Sequence, residues 1–185
     1  GLGDVYKRQL LYDLRFDGAG QPRADFVLNR PAFAGVDVLI AGSNYGCGSS
    51  REHAVWGMQQ YGFKAVVASS FGEIFYSNAL NNRLLLAMVS EDDAQVFMRE
   101  ARAHQGPMAI EIDVEQRQVR TAGHSAPFTI SERHRRMFID SLDVIGASLT
   151  YQDQITAFAQ RHWAAQPWVK DVARRTRDRL SAASA

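Results

Sequence analysis

Cysteine is almost missing from this 185-residue chain: there is one, Cys47. A single thiol excludes an internal disulfide framework and fits a reducing compartment, read here as the cytoplasm. It also excludes an iron–sulfur cluster held by this chain, since a cluster takes three or four thiolates. Long apolar runs are absent too; none approaches the ~18 residues of a membrane span. Neither sign of charge is in excess. Lys and Arg number 21 against 20 Asp and Glu, a net charge of +1, which gives no support to a general nucleic-acid or membrane binder. Internal repeats are missing, as is any linker long enough to separate one domain from another. What is present is an ordinary globular composition, 46% hydrophobic and 22% charged. That excludes wholesale disorder and suffices for one domain with a core.

The opening residues, Gly1 to Gln9, lack an initiator Met. No apolar stretch follows Lys7-Arg8, so they do not read as a secretory signal. Residues 1–9 are read as a non-native start. Further on, apolar runs alternate with helical patterns. Val36–Ala41, Lys64–Ala68 and Leu84–Val89 read as buried strands. Helices are expected between them: one capped near Ser50 and ending at Tyr61-Gly62, one capped by Ser70 with Glu73 as its capping-box partner, and one after Ser90. Phe71, Ile74, Phe75 and Ala79 should share one face of the second. This β-loop-α-β-α-β-α order implies parallel pairing with crossover helices. Beyond it, Met108–Val114 and Gln118–Thr121 suggest a hairpin. Phe128–Ile130 reads as extended, Ser131 as a helix cap, Leu142–Leu149 as helical, and Thr150–Trp163 as an amphipathic terminal helix. Residues 169–185 are expected to be a basic, loosely ordered tail.

The densest chemistry lies in Asn44-Tyr45-Gly46-Cys47-Gly48-Ser49-Ser50-Arg51-Glu52-His53, between the first strand and the first helix. Gly46 and Gly48 permit backbone angles closed to other residues and let a ligand approach the main chain. A helix beginning near Ser50 would aim free N–H groups into the same space. Arg51 adds a permanent charge with a planar fork suited to a carboxylate. Together they point to a carboxylate or phosphate site. The loop lacks the lysine of a Walker motif and the third glycine of a dinucleotide fingerprint. It also lacks the closing glycine of a Gly-x-Ser-x-Gly elbow. A serine here can be a nucleophile or a base; as a base, its alkoxide needs strong electrostatic stabilisation. The plainer reading is a tight turn with Ser50 as a helix cap.

The Asn44–Ala54 segment resembles the signature of the swivelling domain of the aconitase superfamily. Within it, the chain is similar to the family of isopropylmalate dehydratase small subunits. The resemblance runs through Trp56, Tyr61-Gly62-Phe63-Lys64, Ser70-Phe71, Ile74-Phe75, Asn78 and Leu84-Leu85, and returns at Phe128-Thr129-Ile130 and Leu142-Asp143. Upstream, Pro22, Asp25 to Asn29 and Pro31 also match, so it covers residues 10–168. It implies an α/β fold: a three-layer β/β/α swivelling domain with a mixed, partly parallel sheet. It also implies a hydro-lyase of leucine biosynthesis, active with a large subunit that carries a 4Fe-4S cluster; this chain would bind no cofactor or metal itself. Ser49 takes the role of the base, while Ser50 and Arg51 bind substrate carboxylate. The small dicarboxylate would be isomerised by loss and re-addition of water.

Other residues keep two readings. Asn44 could place its amide on substrate or brace the turn. His53 could orient the loop and relay a proton, or simply be packed. Cys47 reads as a small loop residue rather than a ligand. Asn78, Asn81 and Asn82 read as satisfying backbone groups at a helix end. Trp56, Met58 and Tyr61 read as core or partner interface. Family members carry a further segment before Leu11-Tyr12-Asp13, with a substrate-specificity loop, so residues 10–168 are expected to be an N-terminally truncated domain. That leaves homoaconitase or another diacid hydro-lyase as the nearest alternative, and a non-catalytic carboxylate-binding module as another.

Overall fold

In the computed structural model, residues 10–104 and 106–183 are described; the expected non-native start, residues 1–9, lies outside them. Contacts divide the chain into two compact units, one ending at Asp143 and one beginning at Val144. The division falls inside the 10–168 stretch that the sequence reading takes as one domain.

The first unit is built on a parallel sheet. After a short helix α1 (Tyr12–Arg15) and two 3-10 turns come β1 (Val38–Ile40), α2 (His53–Tyr61), β2 (Ala65–Ala68), α3 (Glu73–Asn81), β3 (Leu85–Met88) and α4 (Glu91–Ala103). Strand order is β1-β2-β3, with Val38 opposite Ala65 and Val66 opposite Leu86. Parallel pairing demands crossovers, and α2 and α3 provide them. The central strand β2 is buried at every residue, which explains its unbroken apolar run. The first strand is shorter than its apolar run predicts and only half-buried, since residues 36–40 line an open cavity along this edge of the sheet. Phe97 of α4 and Val55 and Met58 of α2 close the core.

A second, antiparallel sheet follows: β4 (Glu111–Asp113), β5 (Gln118–Arg120) and β6 (Ser125–Pro127), in that order. The hairpin β4–β5 matches the alternation in the sequence. Strand β6 does not; the sequence pattern puts an extended stretch at 128–130, where a single antiparallel bridge joins Thr129 to Met88. Helix α5 (Glu132–Ile139) ends the unit.

Helix caps divide into two groups. Ser90 and Ser131 act as expected, their hydroxyls accepting the N–H of Asp93 and His134. Ser50 and Ser70 do not. Helix α2 begins at His53, with Glu52 at its N-cap, and α3 begins at Glu73 after Gly72; neither has a side-chain cap. The Ser70 hydroxyl instead accepts the Asn44 N–H at 2.7 Å. Ile74 lies 55% exposed, off the face that buries Phe75 and Ala79.

The second unit is helical: α6 (Val144–Leu149), α7 (Gln152–Ala165), a 3-10 turn at Pro167–Val169, and α8 (Val172–Ala183). Helix α8 stands where the sequence suggests a loosely ordered tail. Its residues are mainly good helix formers, and Arg174 pairs with Asp171 just ahead of it at 2.8 Å.

Candidate active site

The site forms where two loops leave the C-terminal ends of neighbouring parallel strands, the place where open α/β sheets gather ligands. The loop after β1 is sewn to the loop after β2 by one parallel bridge, Tyr45 to Phe71. The Tyr45 N–H donates to the Ser70 carbonyl at 3.1 Å, and the Gly72 N–H donates to the Tyr45 carbonyl at 2.8 Å. Two glycines permit this closeness. Gly46 has φ +82°, and a Cβ there would lie 2.3 Å from Phe75 Cγ; a Cβ on Gly72 would lie 2.9 Å from Cys47 Cα. Gly48 differs from expectation, because open space surrounds it and its φ is not in the left-handed region.

A cavity of about 430 Å³ opens against this corner. Its lining takes Gly46, Gly48, Ser49, Arg51 and His53 from the loop and the start of α2, together with the apolar side chains of Leu10, Leu11, Tyr45, Met58 and Phe75. The Ser49 hydroxyl accepts the Arg51 N–H at 3.2 Å, so the two residues are locked in one turn. Among the described residues no hydrogen bond or ion pair engages the Arg51 guanidinium. His53 packs its ring 4.9 Å from that of Trp56. Ser50 and Asn44 are exposed and are not among the lining residues. Asn44 adopts φ +54° and braces the turn, its N–H on Ser70 and its carbonyl accepting the Cys47 N–H at 3.4 Å.

The first turn of α2 does not present all its N–H groups to the cavity. Ala54 and Val55 donate to the carbonyls of Arg51 and Glu52 at 3.2 and 2.9 Å. The cationic character of the lining therefore rests on Arg51. Tyr45, which the sequence reading does not single out, belongs to its apolar part. Its hydroxyl donates to Met58 Sδ at 3.5 Å, and its ring meets Phe75 edge-on at 5.5 Å. Burial pushes its pKa up to about 12, which keeps it a neutral wall rather than an acid–base group. Only its position inside the motif could have flagged it. A hydroxyl, a guanidinium and apolar side chains in one lining suit a small anion with an apolar part. Among the described residues, no group of three His, Cys, Asp or Glu is placed to hold a metal ion.

Residues 5–91 match the family model of the aconitase C-terminal domain. Fold, loop and match together define the class, an α/β domain of the aconitase C-terminal type. The chain is 55% identical to 3-isopropylmalate dehydratase small subunit 1 of Chromobacterium violaceum, over 93% of this chain and 81% of that protein. It is 43% identical to the corresponding small subunit 1 of Bordetella pertussis, over 84% and 77%. The chain thus belongs to the family of 3-isopropylmalate dehydratase small subunits. A crystal structure of 3-isopropylmalate dehydratase from Methanocaldococcus jannaschii aligns with 65% of this chain and 67% of its own, at 27% identity and a TM-score of 0.49.

Proposed function

We propose that this chain supplies the base and the carboxylate clamp of a 3-isopropylmalate dehydratase, a hydro-lyase that interconverts 2- and 3-isopropylmalate by loss and re-addition of water. The observation that carries this is the cavity itself. Its lining combines Ser49 and Arg51 with Tyr45, Met58 and Phe75. A dicarboxylate with a branched apolar substituent has the same mixture of charged and apolar character.

Ser49 removes the proton from carbon. A free hydroxyl is too weak a base, so the neighbouring Arg51 charge must favour the alkoxide in a site from which water is excluded. Arg51 holds substrate carboxylate, while Ser50 and Asn44, exposed and outside the cavity lining, are assigned to substrate by the family resemblance alone. Gly46 and Gly48 shape the loop, and His53 supports its downstream end. The 4Fe-4S cluster that the family implies does not fit this chain's donors: Cys47 is the sole thiol, whereas a cluster takes three or four. The cluster is assigned to a large-subunit partner in the cytoplasm.

Co-expression with a large subunit and anaerobic assay of 2-isopropylmalate, citrate and homocitrate tests the reading. Preferential turnover of 2-isopropylmalate is expected, and turnover of another diacid reassigns the substrate. Ser49→Ala should cut kcat by about 100- to 10,000-fold, the usual share of a general base, with assembly intact. Undiminished activity in that variant removes Ser49 as the base.

A further inference from the structure

Asn82 closes α3, away from the loop in sequence, yet its carboxamide is committed to the start of α2. Its Nδ2 donates to Glu52 Oε1 at 2.6 Å and to the Asn78 carbonyl at 2.9 Å. Its Oδ1 accepts the Trp56 indole N–H at 3.0 Å. Its own carbonyl accepts Gln59 Nε2 at 2.6 Å. The orientation of the amide follows from these partners, since an N–H faces the oxygen and two acceptors face the nitrogen. Asparagine is the residue whose short side chain offers both at once. Glu52 is the N-cap of α2 and the direct chain neighbour of Arg51. The segment from Ser49 to Arg51 lies in neither helix nor strand. Its upstream end is held by the Tyr45–Phe71 bridge. Its downstream end is held by Glu52 on Asn82.

We infer that Asn82 is a positioning residue for the Ser49–Arg51 segment, acting through Glu52 and Trp56. This deepens the dehydratase reading and rests on it for the kinetic consequence, though not for the bracing itself. Asn82→Asp keeps the size but replaces the donors with acceptors, so Glu52 meets a second anion and the first turn of α2 is pushed off. Adding Glu52→Gln restores a donor opposite the new acceptor, while Trp56 keeps its partner.

Two measurements decide. In the full chain, Asn82→Asp should speed amide hydrogen exchange at Arg51, Ala54 and Val55, whose N–H groups are bonded within this turn, by about tenfold, the scale of one lost hydrogen bond to a charged group. The double variant should recover the part of that protection owed to the Glu52 contact, since the donor to the Asn78 carbonyl stays lost. In the assembled complex, at temperatures well below each variant's thermal midpoint, kcat/KM should fall by about tenfold and recover in the double variant. Exchange and kcat/KM within about twofold of the parent would overturn the inference. So would a loss spread through the whole unit that Glu52→Gln fails to rescue. If the parent complex turns over no diacid, the dehydratase reading fails, while the exchange data still decide the bracing.

Discussion

Tyr45 shows how a single side chain can be legible and still be missed. It sits inside the most informative stretch of the sequence, but among glycines, serines and an arginine an aromatic draws no attention. Its role depends on Met58 and Phe75, 13 and 30 positions away, and periodicity carries no trace of that. Its buried phenol has a measurable consequence. Burial raises its folded pKa from 10.0 to about 12, so the folded state holds the proton more tightly than the unfolded chain. The resulting stability is fully present below pH 10 and is lost as pH rises toward 12. Tyr45→Phe should abolish that part of the alkaline loss in urea-unfolding curves taken between pH 10 and 12. At neutral pH it should change little, because only a weak O–H···S contact disappears. Ser49 and Arg51, by contrast, are two positions apart in sequence, so their juxtaposition could be read directly. Ser50 could not be placed that way, because its exposure depends on α2 starting at His53.

Among the elements, the buried strands β2 and β3 and the caps Ser90 and Ser131 were readable because each is decided within a few residues. The caps at Ser50 and Ser70 were not. The loop-to-loop bridge takes the Ser70 hydroxyl for Asn44, a contact spanning 26 positions. Strand β6 was invisible for a related reason: its three residues, Ser125–Pro127, have poor strand propensity and exist only because β5 pairs them. The end of α3 offers a direct test. Arg83 has φ +63°, its N–H donates to Leu80 at 3.1 Å, and the Leu84 N–H donates to Ala79 at 2.8 Å, the pattern of a Schellman motif. An arginine in the left-handed region carries a steric penalty that glycine lacks. Arg83→Gly should therefore stabilise the protein by ~0.5–1 kcal/mol, read as a higher urea midpoint at unchanged slope. A lower midpoint would show that the arginine side chain contributes more than its backbone costs.

Over the whole molecule, burial is unevenly shared. Every buried hydrophobic residue among those described lies between Ala41 and Met137. The unit beginning at Val144 has no buried residue in its helices, while Ile145, Phe158 and Trp168 are 70%, 60% and 64% exposed. Cooperativity should therefore reside in the first unit. A chain stopped after Asp143 should unfold in urea in one transition, with a stability extrapolated to water within about 15% of the parent, the usual extrapolation uncertainty. Loss of the transition would show that the helical unit is part of the folding core. The sequence hid this division, because apolar residues at helical spacing look the same whether or not something covers them.

Cys47 stands exposed in the loop, two positions ahead of Ser49, and is the chain's sole cysteine. This 185-residue chain is thus already a single-label molecule. A maleimide fluorophore attaches beside the cavity and nowhere else, with no engineered thiol and none to remove. The attachment rate tests whether a partner subunit shields the loop, and the emission of the attached dye tests whether a diacid enters the cavity. A residue with no assigned role in the chemistry becomes the handle by which that chemistry can be watched.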